Sequence, residues 1–225
     1  MGYPPPGRQG NSVFAYLAIM GNTKSYHEHV IKDGRFIGEF DEMYKEYEDP
    51  WHQSSQPNPY SRRCGILHMQ KFGVRSVIEF GSGLGYYSDM IHKEMGIVPI
   101  GYDISGTAIE KARRLFPHLD HRVGRVQDML RVPQKVDAIL FAEIGWYILE
   151  DFDEIMDLML KHQHGRYFIN NQVFYKGSQR YGNEFFTNLG EYIARIPFIP
   201  LGWVEGTTET DSTIETSAIF RIERK

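Results

Sequence analysis

Residues 77–85 read Val-Ile-Glu-Phe-Gly-Ser-Gly-Leu-Gly, and a second acid, Asp103, follows eighteen residues after Gly85. The β-rich run ahead of the glycines predicts a strand that carries Glu79 to its end. Gly81, Gly83 and Gly85 then leave the backbone bare before a predicted helix. A ligand can approach such a loop to van der Waals contact, and glycine accepts the φ > 0 turn that a side chain resists. A second predicted strand, residues 97–104, ends on Asp103, where ribose hydroxyls would arrive. In a doubly wound α/β sheet, ligands sit at these carboxyl ends of the strands. The pattern describes a nucleoside-cofactor site built from Glu79, Gly81, Ser82, Gly83, Gly85, Asp103 and Ile104.

The dinucleotide fingerprint is G-x-G-x-x-G with an acid about 20 residues on. Here the third glycine comes one residue early, and Tyr86 stands where that pattern wants glycine. Glu79 would repel a pyrophosphate at the helix N-terminus, but it suits a ligand carrying an ammonium group and a sulfonium centre. No G-x-x-x-x-G-K-[ST] phosphate loop is present.

Glu79-x-Gly81-x-Gly83-x-Gly85 followed by Asp103 resembles motif I and its partner acid in class I S-adenosylmethionine-dependent methyltransferases. The resemblance spans residues 74–149. Asp128-Met129 matches the acid-plus-apolar pair that flanks adenine in that family, and the run from Val136 to Glu143 matches its fourth strand, which ends at the methyl-transfer site. Upstream, Asp49-Pro50-Trp51 and Tyr60-Ser61-Arg62-Arg63 look like the nodulation-type N-methyltransferases acting on amino sugars, as does Glu143-Ile144-Gly145-Trp146-Tyr147. The last third of the chain carries no such likeness.

The resemblance implies S-adenosylmethionine as cofactor and Glu143 as the group that holds a substrate amine and accepts its proton. A general base there contributes on the order of 10²–10⁴-fold. The competing role for Glu143 is to cap the next turn. His52, beside Trp51, is a second catalytic candidate, against a plain surface position. Trp51, Tyr86, Tyr87, Trp146 and Tyr147 could stack on adenine or face the sulfonium, a contact worth roughly 0.5–2 kcal/mol; Tyr86 also reads as core. Trp146 and Tyr147 fall on the substrate side. Arg63 could pair with the methionine carboxylate, or lie on a solvated helix face. His162-x-His164 has no third ligand at metal spacing, so no metal site is expected.

Positioning these residues requires strands and helices in alternation. Phe40, Met43, Tyr44 and Tyr47 recur at i, i+3, i+4 and i+7, predicting a helix over 39–48 that Asp49-Pro50 ends. Asn58-Pro59 opens a second helix closed by Gly73. Strands are expected at 76–80, 97–104, 121–126, 138–143 and 166–174. Helices are expected at 86–95, closed by Gly96, at 107–116 behind a Thr107–Glu110 capping box, at 151–162 and at 184–195. Segments 201–205 and 214–222 read as a closing hairpin.

The 225 residues allow one domain with a full core. Residues 1–36 read as a flexible or loosely packed segment and 37–225 as a single domain. Within it, 37–73 is a helical lid, 74–149 the cofactor-binding half and 150–225 the substrate-side half. The resemblance implies an α/β fold, Rossmann-like and doubly wound: a mostly parallel seven-stranded sheet with an antiparallel last strand. Apolar content of 41% and charged content of 24% are ordinary for a soluble protein. Net charge is −4 with no basic run, which disfavours nucleic acid as partner. The apolar stretch 12–20 is too short to cross a membrane and lacks export-signal form, and the lone Cys64 reads as a small buried residue; a cytoplasmic setting follows. The expected partner is a small polar acceptor, methylated on nitrogen or oxygen, such as an amino sugar. A non-catalytic cofactor sensor, a protein amine methyltransferase and a nucleotide-dependent oxidoreductase are the rival readings.

Overall fold

The computed structural model describes residues 25–56, 59–177 and 180–225. The Pro/Gly-rich start, the apolar stretch 12–20 and the Asn58 cap lie outside the described residues. Parallel strands β3 (Val77–Phe80), β4 (Ile100–Asp103), β5 (Asp120–Val123), β6 (Ala138–Ala142) and β7 (Tyr167–Tyr175) alternate with helices. Two long strands, β8 (Phe198–Gly206) and β9 (Thr213–Arg224), close the sheet in the order β5-β4-β3-β6-β7-β9-β8. β9 is antiparallel to both neighbours, pairing with β7 from Tyr167↔Arg221 to Tyr175↔Thr213. This is the mostly parallel, Rossmann-like sheet with its last strand antiparallel that the resemblance implies.

β3 pairs with β4 on one side and β6 on the other, so the chain direction across the sheet reverses at β3. A crevice opens at such a switch point, beyond the carboxyl ends of the strands. Every residue of β3 is buried, as a parallel strand covered on both faces requires. Glu79 is therefore a carboxylate inside the apolar core.

Helix α3 (Tyr86–Met95) ends as expected on Gly96, whose φ of +70° closes the last turn while its N–H bonds His92 O. Other elements differ from the expectation for local reasons. Helix α4 (Gly106–Leu115) is capped by Ser105, whose Oγ accepts the Ala108 N–H, and not by Thr107. The third strand stops at Val123, and residues Val126–Leu130 form a short helix, α5, because Leu130 buries fully and Val126 packs on the same cluster. Helix α6 (Phe152–His162) matches its prediction, whereas α7 starts only at Leu189, where Asn188 accepts the Glu191 N–H. Cys64 is half-buried.

Residues 25–56 build a cover over the crevice. A 3₁₀ turn (Tyr26–His29), a ribbon of β1 (Ile31–Lys32) and β2 (Arg35–Phe36) and helix α1 (Phe40–Glu46) precede a 3₁₀ turn at Gln53–Ser55. Val30, Met43 and Tyr44 are buried against Leu84 and Ala108, so lid packing starts upstream of residue 37. Asp41 accepts the Ser105 hydroxyl at 2.9 Å and the Thr107 N–H at 2.8 Å, docking α1 on the start of α4. Lys111 donates to Glu48 and to the Tyr47 carbonyl. Helix α2 (Tyr60–Lys71) behaves differently: Ile66 and Met69 pack into the sheet core, and its first turn forms part of the crevice wall.

Candidate active site

Gly81, Gly83 and Gly85 all have positive φ, at 78°, 53° and 85°. The space above them is taken by protein. A Cβ on Gly81 would lie 2.0 Å from Ile144, one on Gly83 2.7 Å from the Tyr44 hydroxyl, and one on Gly85 2.5 Å from His121. The bare backbone expected to admit a ligand instead admits neighbouring side chains at Gly83 and Gly85; only Gly81 of the three lines the cavity. Ser82 is fully buried. Asp103 accepts the Gly83 and Ser105 N–H groups at 2.9 Å each, and Gln53 Oε1 from the lid accepts the Leu84 N–H at 2.9 Å. Asp49 orders that lid turn by accepting the Gln53 and Ser54 N–H groups, which gives the Asp-Pro-Trp motif its structural purpose.

Glu79 accepts the Ser88 hydroxyl. Burial pushes its carboxyl up to about 7, with the Ser88 hydrogen bond and the Arg62 charge pulling the other way. Burial also raises the Asp103 carboxyl, against the backbone N–H groups it accepts. Arg62 is 8% exposed, sits 5.7 Å from the Tyr87 ring centre, and forms no ion pair among the described residues. Arg63, the sequence candidate, turns outward on the next helical position and pairs with Glu94 on the surface. The helical phase of α2 thus moves the cavity's guanidinium by one residue.

The crevice encloses about 900 Å³. Trp51, Glu79, Gly81, Asp103, Ile104, Glu143, Trp146 and Tyr147 line it, as their assignment to a site requires. His52, Asp128 and Met129 do not line it: His52 is exposed in a left-handed turn (φ +54°), Asp128 is exposed on α5, and Val126 and Gln127 occupy the wall instead. Trp146 donates its Nε1–H to the Val173 carbonyl at 2.9 Å and packs on Phe174 and Phe186, so most of its ring is core. Tyr86 packs against Phe116 away from the cavity. Tyr147 lies 5.3 Å from Phe40, 5.9 Å from Trp51 and 6.2 Å from Phe36 between ring centres, an aromatic wall joining lid to sheet.

β6 ends at Ala142, and Glu143 turns into the left-handed region at φ +63°. A non-glycine residue held there costs on the order of 1–3 kcal/mol. Its N–H donates to Asn171 O at 3.1 Å, and its carboxylate accepts the Ser61 hydroxyl at 2.9 Å. Asn171 and Glu215 share this end of the cavity. Neither was singled out from sequence, although Asn170-Asn171-Gln172 interrupts an otherwise apolar strand and was a visible signal. Among the described residues, no group of three His, Cys, Asp or Glu could hold a metal ion, and no helix is long and apolar enough to cross a membrane.

No family model and no curated protein matches the sequence. Solved structures match the fold. The N-methyltransferase NodS from Bradyrhizobium japonicum WM9 superposes with a TM-score of 0.57 at 17% identity, covering 74% of this chain and 98% of that one. The methyltransferase domain of bacterial CtHen1 gives 0.58 at 11% identity, covering 74% and 98%. The geranyl diphosphate C-methyltransferase of Streptomyces coelicolor A3(2), solved with Mg²⁺, geranyl diphosphate and S-adenosyl-L-homocysteine, gives 0.51 at 16% identity, covering 72% and 79%. The fold is that of the class I S-adenosylmethionine-dependent methyltransferases.

Proposed function

We propose that the chain binds S-adenosylmethionine in this crevice and methylates a nitrogen or oxygen of a small polar acceptor. The observation that carries the reading is the charge pattern at one end of the cavity: a buried carboxyl, Glu79, and a buried guanidinium, Arg62, that has no carboxylate partner among the described residues. An amino-acid zwitterion complements both, its carboxylate on Arg62 and its ammonium on Glu79. Asp103, at the end of β4, offers its remaining lone pairs to ribose hydroxyls. Ile104 and Val126 present apolar surface where a purine would lie. The cofactor would supply an electrophilic methyl group on a sulfonium sulfur.

Glu143, on the far side of Gly81, orients the acceptor and takes its proton, while Tyr147 and the lid aromatics exclude water. A volume of about 900 Å³ lies near the top of the roughly 300–1,000 Å³ range of small-molecule sites, which leaves room for an acceptor beside the cofactor. The likeness to the fold of an N-methyltransferase and of an enzyme solved with S-adenosylhomocysteine supports the same reading.

Calorimetric titration with S-adenosylmethionine, S-adenosylhomocysteine and NAD tests it. Micromolar binding of the first two without NAD binding is expected; binding of NAD alone would overturn it. Glu143→Gln should lower turnover by about 10²–10⁴-fold with cofactor affinity unchanged. Cofactor binding without transfer to any amine, sugar or peptide would instead favour a sensor, and transfer to peptide amines a protein methyltransferase.

A further inference from the structure

Ser61 is completely buried in the first turn of α2 and touches two carboxylates at once. Its Oγ lies 2.9 Å from Glu143 Oε1 and 3.1 Å from Glu215 Oε2, and its backbone N–H donates to the same Glu215 oxygen at 3.0 Å. A hydroxyl has one proton and can satisfy only one of the two acids at a time. Both oxygens sit about 3 Å from a common atom, so they are at most about 6 Å apart, within the range where like charges disfavour each other. Glu143 reaches this point from the end of β6, and Glu215 from β9, opposite Val173 in the ladder.

Asn171, in the wall of the same cavity, carries a third oxygen. Asn171 is fully buried and lines the cavity, yet its Oδ1 has no hydrogen-bond partner among the described residues. Its amide nitrogen is engaged with the Tyr87 hydroxyl at 3.2 Å. Gly65, one turn after Ser61 on the same face of α2, leaves room for this amide: a Cβ there would stand 3.1 Å from Asn171 Oδ1. An unpaired buried carbonyl costs about 1–3 kcal/mol, and two carboxylates that share one hydroxyl proton keep lone pairs open to a donor-only cation.

We propose that Glu143, Glu215 and Asn171 form an ammonium-recognition site, which makes a primary amine the acceptor class and Glu215 a specificity-determining residue. A primary ammonium carries three N–H donors and no acceptor, matching two carboxylates and one amide oxygen. A hydroxyl acceptor would leave one carboxylate unmatched, and an anionic acceptor would meet two like charges. This inference rests on the proposed transferase reading, because Glu143 serves both.

The test uses the full chain saturated with S-adenosylhomocysteine, whose binding is measured first by calorimetry. If it does not bind, the cofactor reading fails by itself. Saturation-transfer NMR then compares matched probes: glucosamine, N-acetylglucosamine and glucose, and ethanolamine, N-acetylethanolamine and ethylene glycol. The amine of each set should bind best. Glu215→Gln should weaken amine binding by about 10- to 100-fold and leave S-adenosylhomocysteine affinity unchanged. Ser61→Ala removes a competing donor while keeping all three acceptors, so amine binding should be retained or tighter. Equal binding of the hydroxyl or N-acetyl members, no amine binding at all, an unaffected Glu215→Gln protein, or loss of amine binding in Ser61→Ala would each overturn the proposal.

Discussion

Cofactor binding should expel a proton from Glu79. Burial holds its carboxyl at about 7, so at neutral pH about half the molecules carry it protonated. A ligand ammonium beside it favours the charged form, and an opposite charge at close range lowers a carboxyl pKa by about 1–3 units. With a fall of about two units, binding releases about 0.8 proton at pH 6 and about 0.5 at pH 7. The ligand's own α-amino group, at about 7.7–8.0, stays charged across that window. Affinity should therefore strengthen as pH rises from 5 to 7, by about 25-fold. Calorimetry with S-adenosylhomocysteine in buffers of different protonation enthalpy reads the released proton directly. His27 also lines the cavity and burial lowers its pKa, so the control is Glu79→Gln, which should abolish the release. The same group sets a stability trend. The folded chain keeps a proton that the unfolded chain loses between the ordinary carboxyl value of 4.5 and about 7, so stability falls by about 3 kcal/mol as pH rises through that window, and the Gln variant lacks this slope. No proton release at pH 6, or the same release from Glu79→Gln, would refute the placement of a ligand ammonium on this carboxyl.

The adjacent arginines should separate cleanly: Arg62→Met is expected to weaken S-adenosylhomocysteine binding by about 10- to 100-fold, and Arg63→Met, which removes a surface pair with Glu94 outside the cavity lining, to leave it within about twofold. Gly81→Ala combines a φ of +78° with a contact at 2.0 Å to Ile144, so urea unfolding should show a loss of about 2–5 kcal/mol. Adding Ile144→Ala to that variant should restore the steric part and not the backbone part. Asp41→Asn should lower stability by about 1 kcal/mol at neutral pH through its contacts to Ser105 and Thr107. The Lys45 and Thr107 hydrogen bonds hold the Asp41 carboxyl well below its ordinary value of 3.8, so its contribution is present above about pH 4 and the two proteins' melting temperatures should converge as pH falls below that.

The parts of the site that the sequence determined are those made by neighbours in the chain. A buried strand, a glycine turn needing positive φ and a helix behind it are short-range consequences of residue type. So Glu79, Gly81 and α3 with its Gly96 stop were legible, as was Asp103 at the end of the next strand. The alternation of such units also implied the parallel sheet, while its switch point at β3 came from the strand order. Short-range chemistry misled where two signals were close. The Thr107 box lost to Ser105 because Asp41, from a distant helix, took the Thr107 N–H. The strand at 121–126 lost its end to α5 once Leu130 found the core.

Only the tertiary structure decided which side chains meet in the crevice. Whether Arg62 or Arg63 faces inward depends on the rotation of α2 about its axis, which Ile66 and Met69 set by packing on the sheet. Gln53 reaches the Leu84 N–H across 31 positions, and Ser61 reaches Glu215 across 154. Contacts of that separation leave no periodicity in the chain, because they arise from the order in which β9 inserts between β7 and β8 and from the docking of the lid. Residue type supplied the charges of the site, and packing alone determined which of them share one cavity.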